Sequence, residues 1–85
     1  MTLTELVYAG IRKLNPDQVE QYTRWGWSAE AMACRGWHQQ AEWASVAQWC
    51  AMGRGPYMSP EREALLQLAN TAQGYANALE LAFDL

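Results

Sequence analysis

The sequence predicts an all-α protein, and its composition and spacing both favour this class. Among its 85 residues, 14 are Ala and 9 are Leu, whereas only 3 are Val and 1 is Ile. β-branched residues favour half-buried strands, so their scarcity disfavours a sheet. Apolar residues recur at helical spacing, and Ser, Asn, Pro and Gly lie where helices begin or end. A chain of this length is expected to form one domain over residues 1–85.

The first helix is predicted over residues 3–14. Thr2 and Glu5 have the spacing of a capping box, which satisfies free backbone N–H groups at a helix start. Apolar residues then follow one helical stripe, and Gly10 lies on that stripe. Because glycine has no side chain, Gly10 allows a neighbouring backbone to approach closely.

The second and third helices are predicted over 16–25 and 29–52. Asn15 is the expected N-cap of the second helix, and the proline that follows it suits the first helical position. Ser28 is the expected N-cap of the third helix. Gly36 interrupts the third segment, which is therefore either one helix or two.

The fourth helix is predicted over 60–83, after a Gly- and Pro-rich loop over 53–58 and a helix start at Ser59. At 1.5 Å per residue this helix would be about 36 Å long, which exceeds the width of a compact domain of this size. It is expected either to pack antiparallel along the third helix or to protrude towards a partner.

Five Trp residues are present, and three of them, Trp37, Trp43 and Trp49, are six residues apart. Six helical residues rotate by about 600°, so these rings point about 120° apart and cannot share one core. Two apolar faces result, and the third helix is expected to be packed on both. The first face comprises Met32, Trp43, Val46, Ala47 and Cys50; the second comprises Ala33, Trp37, Ala41, Ala44 and Ala51. Trp49 lies in the polar sector, so we expect it to face outward.

Surface positions of this kind are the candidate binding residues, since Trp is enriched at binding hot spots. The predicted partner-binding residues are Trp49, Glu42, Ser45, His38, Trp25 and Trp27. A second stripe, on the fourth helix, is a candidate self-association surface and comprises Leu66, Asn70, Gly74, Asn77 and Leu81. Glu80 and Asp84 lie at a helix C-terminus, where negative charge is unfavourable, which indicates either fraying or a basic contact.

Catalytic and cofactor signatures are absent from the sequence. Cys34, His38 and Glu42 repeat every four residues, but a tetrahedral metal site needs a fourth ligand, and Cys50 would lie about 24 Å from Cys34 along the helix. We therefore expect a buried cysteine, a histidine paired with Glu42, and no metal. There is no Gly-x-Ser-x-Gly motif or phosphate-binding glycine loop, so no enzyme activity and no cofactor are predicted.

Charge indicates which classes of partner are expected, and cysteine content indicates which cellular compartment is expected. The net charge of −3 and the pI near 4.9 disfavour nucleic-acid binding, which usually needs a basic patch. Two cysteines are few for a disulfide-stabilised secreted domain, and neither a signal peptide nor a membrane span is recognisable. A reduced, cytoplasmic setting is expected.

The favoured hypothesis is an acidic, non-enzymatic protein that binds another protein as an adaptor, a complex subunit or a stoichiometric inhibitor. Its size and acidity would suit a phage or mobile-element protein directed at a host complex such as a defence system. The first alternative is a dimeric helix-turn-helix DNA-associated regulator, built on residues 18–35 and using Arg24, Arg35 and Gln39. The second is a homo-oligomeric structural protein assembled through the fourth helix.

Overall fold

The computed structural model describes residues 1–52 and 60–85, and the predicted all-α class is confirmed. These ranges contain no strand and four helices: α1 (Leu3–Ile11), α2 (Pro16–Arg24), α3 (Ala29–Met52) and α4 (Pro60–Phe83). The predicted loop over 53–58 and the helix start at Ser59 lie outside the described residues. None of the described helices is both long enough and apolar enough to cross a bilayer.

The predicted N-caps of the first three helices are all present. The capping bonds are Glu5 N–H to Thr2 Oγ1 (3.2 Å), Gln18 N–H to Asn15 Oδ1 (2.8 Å) and Ala31 N–H to Ser28 Oγ (3.1 Å). The Gln18 side chain also accepts from the Asn15 N–H, which completes a second capping box. Local side-chain chemistry therefore fixes where these helices begin.

α1 ends earlier than predicted, and of the two alternatives left open at Gly36 the structure has one continuous helix. α1 ends at Ile11 instead of residue 14, because the chain tightens into a turn in which the Leu14 N–H donates to the Ile11 carbonyl at 3.1 Å. Leu14 is nonetheless buried, so its apolar character reflects core packing beyond the helix. α3 runs through Gly36 as one helix, and the alternative of two helices is wrong.

α3 and α4 pack antiparallel along their lengths, which is the first of the two arrangements predicted for the fourth helix. Near the start of α3, Cys34 lies against Ala76 of α4; near its end, Cys50 and Ala51 lie in the same groove as Leu65. Small side chains line much of this interface and allow the helices to lie close together. The buried residues of the two helices include Ala33, Ala41, Ala44, Ala51, Ala69, Ala72, Ala76 and Leu79.

α1 crosses α3 where Gly10 meets Gly36. A Cβ placed on Gly36 would overlap the carbonyl oxygen of Gly10, and a Cβ on Gly10 would lie 2.5 Å from the carbonyl oxygen of Ala33. The predicted close approach at Gly10 is confirmed. Gly36 serves the same contact from the other side, which explains a glycine in the middle of a continuous helix.

The covering of α3 is uneven along its length. α1 and α2 make their hydrogen bonds and close approaches to α3 between Met32 and Gln39. They are nine residues each, or about 14 Å, whereas α3 has 24 residues and extends about 36 Å. The second predicted apolar face of α3 is buried, but the first face is buried only at Met32. The expectation that α3 is packed on both faces is wrong for its C-terminal half, where Trp43, Val46 and Cys50 are exposed, because α1 and α2 are too short to reach it.

Candidate functional site

The C-terminal half of α3 carries an exposed apolar surface, which we call the tryptophan face (Trp43, Val46, Trp49 and Cys50). The exposed fractions are 59% for Trp43, 64% for Val46 and 75% for Trp49, and Cys50 is also exposed. Steps of three residues turn a helix by about 300°, so these side chains follow one broad arc over two turns. The outward orientation predicted for Trp49 agrees with the structure, whereas Trp43 and Val46 were expected to be buried.

A shallow groove borders the tryptophan face on the side of α4. Trp43, Val46 and Cys50 line it from α3, and Glu61 and Leu65 line it from α4. The groove is therefore apolar along the α3 wall, with a carboxylate at one end.

Polar residues border the other side of the tryptophan face. Glu42 and Ser45 are both exposed, as expected of residues at the rim of a binding surface. Arg35 donates to the Glu42 carboxylate at 3.4 Å, and this pair is exposed enough to contribute little to stability. The predicted pairing of His38 with Glu42 is wrong, because Glu42 faces Arg35.

Trp25 and Trp27 lie at the junction of α2 and α3, where their environments differ. Gly26 adopts a positive φ of 81°, and the Trp27 N–H donates to the Tyr22 carbonyl at 3.0 Å, as in a Schellman helix end. The Trp27 ring stacks on the Tyr22 ring with centroids 4.4 Å apart, which is the apolar contact that often accompanies this motif. Trp27 therefore has a structural role in this turn, while Trp25 is largely exposed.

The residues proposed for self-association lie on the outer side of α4. All five are exposed: Leu66, Asn70, Gly74, Asn77 and Leu81. Within this stripe the Asn77 side chain accepts a hydrogen bond from Gln73 at 2.9 Å. The middle of the stripe is polar or small, so the structure places its two leucines apart and not in one apolar patch.

Asp84 and Glu80, the predicted acidic contacts at the end of α4, have separate surroundings. Asp84 is exposed and adopts a positive φ of 54°, and the Leu85 N–H donates to the Glu80 carbonyl at 3.1 Å. These features are those of a Schellman end, so α4 ends in a hydrogen-bonded cap and fraying is not needed to explain the acidic residues. The Glu80 side chain turns inward to a basic residue of the same chain, His38.

Cys34, His38 and Glu80 form a cluster between α3 and α4. The His38 Nε2–H donates to Glu80 Oε1 at 2.5 Å, and the Cys34 thiol lies 3.6 Å from the same oxygen. The three side-chain atoms that could bind a metal all lie within 4.8 Å of one another. Cys34 is buried, whereas His38 and Glu80 are half-buried, so the cluster is open to solvent on one side.

The cluster changes the acidity of two of its members. The hydrogen bond from His38 lowers the pKa of Glu80 below its usual value, so Glu80 is ionised at neutral pH. Burial, followed by the negative charge of Glu80, raises the pKa of Cys34 to about 11. In the absence of a cation the cluster thus holds a carboxylate beside a protonated thiol.

These surroundings predict unequal reactivity of the two cysteines. In the folded, chelator-treated protein at pH 7.5, Cys50 is expected to react with iodoacetamide at least about a hundredfold faster than Cys34, because Cys34 is buried and seldom a thiolate. Mass spectrometry of the alkylated peptides over time measures both rates. In concentrated guanidinium chloride the two alkylation rates should converge. Equal rates in the folded protein would contradict the burial and raised pKa of Cys34.

Two of the site residues are not recoverable from sequence spacing. Trp43 shares a helical face with buried Met32, but α1 and α2 are too short to cover it. Glu80 is 42 residues from His38, and its pairing follows from the register of α4 along α3.

Compared with known proteins, the chain matches no family model, no curated protein and no solved structure.

Proposed function

We infer that this protein acts by binding another protein through the tryptophan face. The observation that carries this inference is the exposure of Trp43, Val46 and Trp49 on successive turns of one helix. Contiguous exposed apolar surface of this kind is uncommon on small monomers and is typical of interaction sites. A fully buried aromatic side chain contributes roughly 150–250 Å² of contact area, most of which Trp43 and Trp49 still expose, and Trp is prominent among residues whose truncation costs most in binding.

The shape of the surface favours a partner with an apolar groove. The tryptophan face is one side of a preformed α-helix, and helices dock into grooves through apolar anchors at intervals of three and four residues. The exposed Glu42 and Ser45 supply a polar border. Because docking needs no catalytic group, this mode of action is common to an adaptor, a complex subunit and a stoichiometric inhibitor.

The alternative of a DNA-associated regulator finds less support in the structure. Arg24 is paired with Glu20 at 2.5 Å, and Arg35 contacts Glu42 and Tyr22. Gln39 exchanges hydrogen bonds with Gln18 at 2.8 and 3.2 Å. All three predicted base-contacting side chains therefore have partners within the chain, and reading DNA would require these contacts to be broken.

The test compares proteins retained by affinity-tagged variants in a lysate of the source cell. A specific partner should be retained by the unmodified chain and lost with the W43A/W49A double variant, since truncating a hot-spot residue often costs about 2 kcal/mol or more in binding. The melting temperature of the double variant should be nearly unchanged, because both rings are largely exposed.

The matched control is Leu81→Ala, which removes an exposed apolar side chain on the outer side of α4. A partner retained by Leu81→Ala and lost with the double tryptophan variant supports the proposal. Identical sets of retained proteins for all three chains would contradict it. Concentration-dependent dimerisation abolished by W43A/W49A would show that a second copy occupies the face instead of another protein.

A further inference from the structure

The Cys34–His38–Glu80 cluster has the composition of a transition-metal site, independently of the tryptophan face. Cys34 and His38 are one helical turn apart on α3, so a rigid backbone presents a sulfur and an imidazole side by side. Glu80 reaches them from α4, and its carboxylate oxygen is within hydrogen-bond distance of both. The sequence suggested Glu42 as the third member, but the Glu42 carboxylate accepts a hydrogen bond from Arg35 instead.

One separation within the cluster matches a tetrahedral zinc site, and all three ligand atoms lie within 4.8 Å of one another, so small side-chain rotations would complete the geometry. With Zn–S near 2.3 Å and Zn–N and Zn–O near 2.0–2.1 Å, ligand atoms lie about 3.3–3.6 Å apart. Cys34 Sγ and Glu80 Oε1 are already 3.6 Å apart. His38 Nε2 and Glu80 Oε1, at 2.5 Å, would separate by about 1 Å, which a small side-chain rotation on two half-buried residues provides.

Donor chemistry and charge favour zinc over calcium and magnesium. Calcium and magnesium need six or more oxygen ligands, whereas sulfur, nitrogen and oxygen together suit a borderline ion. A thiolate and a carboxylate carry two negative charges, which a divalent ion neutralises in this half-buried place. Metal binding would release the Cys34 proton, which its raised pKa makes more costly, and would require His38 in the tautomer that carries its proton on Nδ1, leaving Nε2 free to bind the ion.

We propose that Cys34, His38 and Glu80 bind one Zn²⁺ ion per chain, with solvent as the fourth ligand. The open side of the cluster, formed by the half-buried His38 and Glu80, provides the fourth position. This assignment reverses the expectation of no metal that the sequence alone supported. Because all three ligands lie on α3 and α4, the ion would also crosslink the two helices at the end opposite the tryptophan face.

The test is a titration of the chelator-treated, full-length protein with Co²⁺, a spectroscopic substitute for zinc. Binding at the cluster should give visible absorption typical of tetrahedral Co²⁺, together with a thiolate-to-cobalt charge-transfer band, both saturating at one equivalent. Zn²⁺ should remove both signals and raise the melting temperature. The charge-transfer band should be absent from Cys34→Ser.

Three further variants separate loss of a ligand from loss of the fold. Glu80→Gln keeps an oxygen that can accept from His38, so it should remain folded by circular dichroism while its metal affinity falls at least about tenfold. Cys50→Ser and Glu42→Gln, which alter residues outside the cluster, should bind as the unmodified chain does. Absence of Co²⁺ absorption in the unmodified chain, or a charge-transfer band that depends on Cys50, would overturn the proposal.

Discussion

Replacing Trp37 with alanine is expected to lower the free energy of unfolding by about 3–5 kcal/mol. Trp37 is 6% exposed and connects three helices: its Nε1–H donates to the Leu6 carbonyl of α1 at 2.9 Å, and its ring packs edge-on against Tyr75 of α4 at 4.9 Å. A chain of this size has a total stability of roughly 4–13 kcal/mol, so the variant should be largely destabilised. Urea unfolding followed by circular dichroism measures the change.

Trp49→Ala is the matched control, because it removes the same side chain from the same helix. Trp49 is largely exposed, and its loss should change the free energy of unfolding by less than about 0.5 kcal/mol. Comparable losses for the two variants would show that Trp49 is a core residue and would remove the basis of the tryptophan face.

Gly36→Ala is expected to destabilise the protein by about 3 kcal/mol or more, even though alanine is the better helix former. The added Cβ would overlap the Gly10 carbonyl oxygen, which is backbone and cannot turn aside. α1 would have to move off α3 and would then lose the bond between Trp37 and Leu6. The melting temperature and the urea midpoint should both fall.

Gly74→Ala is the matched control for Gly36→Ala, and it is expected to change the free energy of unfolding in the opposite direction. Gly74 lies inside α4, and a Cβ there meets no described atom within 4 Å apart from its chain neighbours and the adjacent backbone of its own helix. The substitution should therefore stabilise the chain by up to about 1 kcal/mol through helix propensity alone. Stabilisation by both substitutions would mean that α1 and α3 are not in close backbone contact.

Local chemistry made the helices predictable from the sequence. Thr2, Asn15 and Ser28 cap the helices that they were expected to cap, because an N-cap bond joins residues only three apart. Gly10 was also interpretable, since a glycine on an apolar stripe sacrifices helix propensity and needs a packing reason. In each case the cause and its consequence lie within a few residues.

The tryptophan face and the Cys34–His38–Glu80 cluster depend on contacts between residues far apart in the sequence, which local patterns do not specify. A helical wheel shows that Trp43 and Met32 share a face, but it does not show which part of that face another helix covers. Similarly, His38 has carboxylates at Glu42 and Glu80, and only the register of α3 against α4 selects the second. The site therefore required the tertiary arrangement, whereas the fold class did not.

α1 meets α3 at the contact between Gly10 and Gly36, in the N-terminal half of α3, so the two halves of α3 are expected to differ in local stability. Before Gln39, opening the helix would break contacts with α1, α2 and α4; beyond Ala41, burial is confined largely to the alanine side that faces α4. Local unfolding follows the number of buried apolar contacts, so the C-terminal half of α3 requires less free energy to open. The tryptophan face lies in that half. A partner that covers it would supply the packing that α1 and α2 do not, and would stabilise the half of α3 that its own fold protects less.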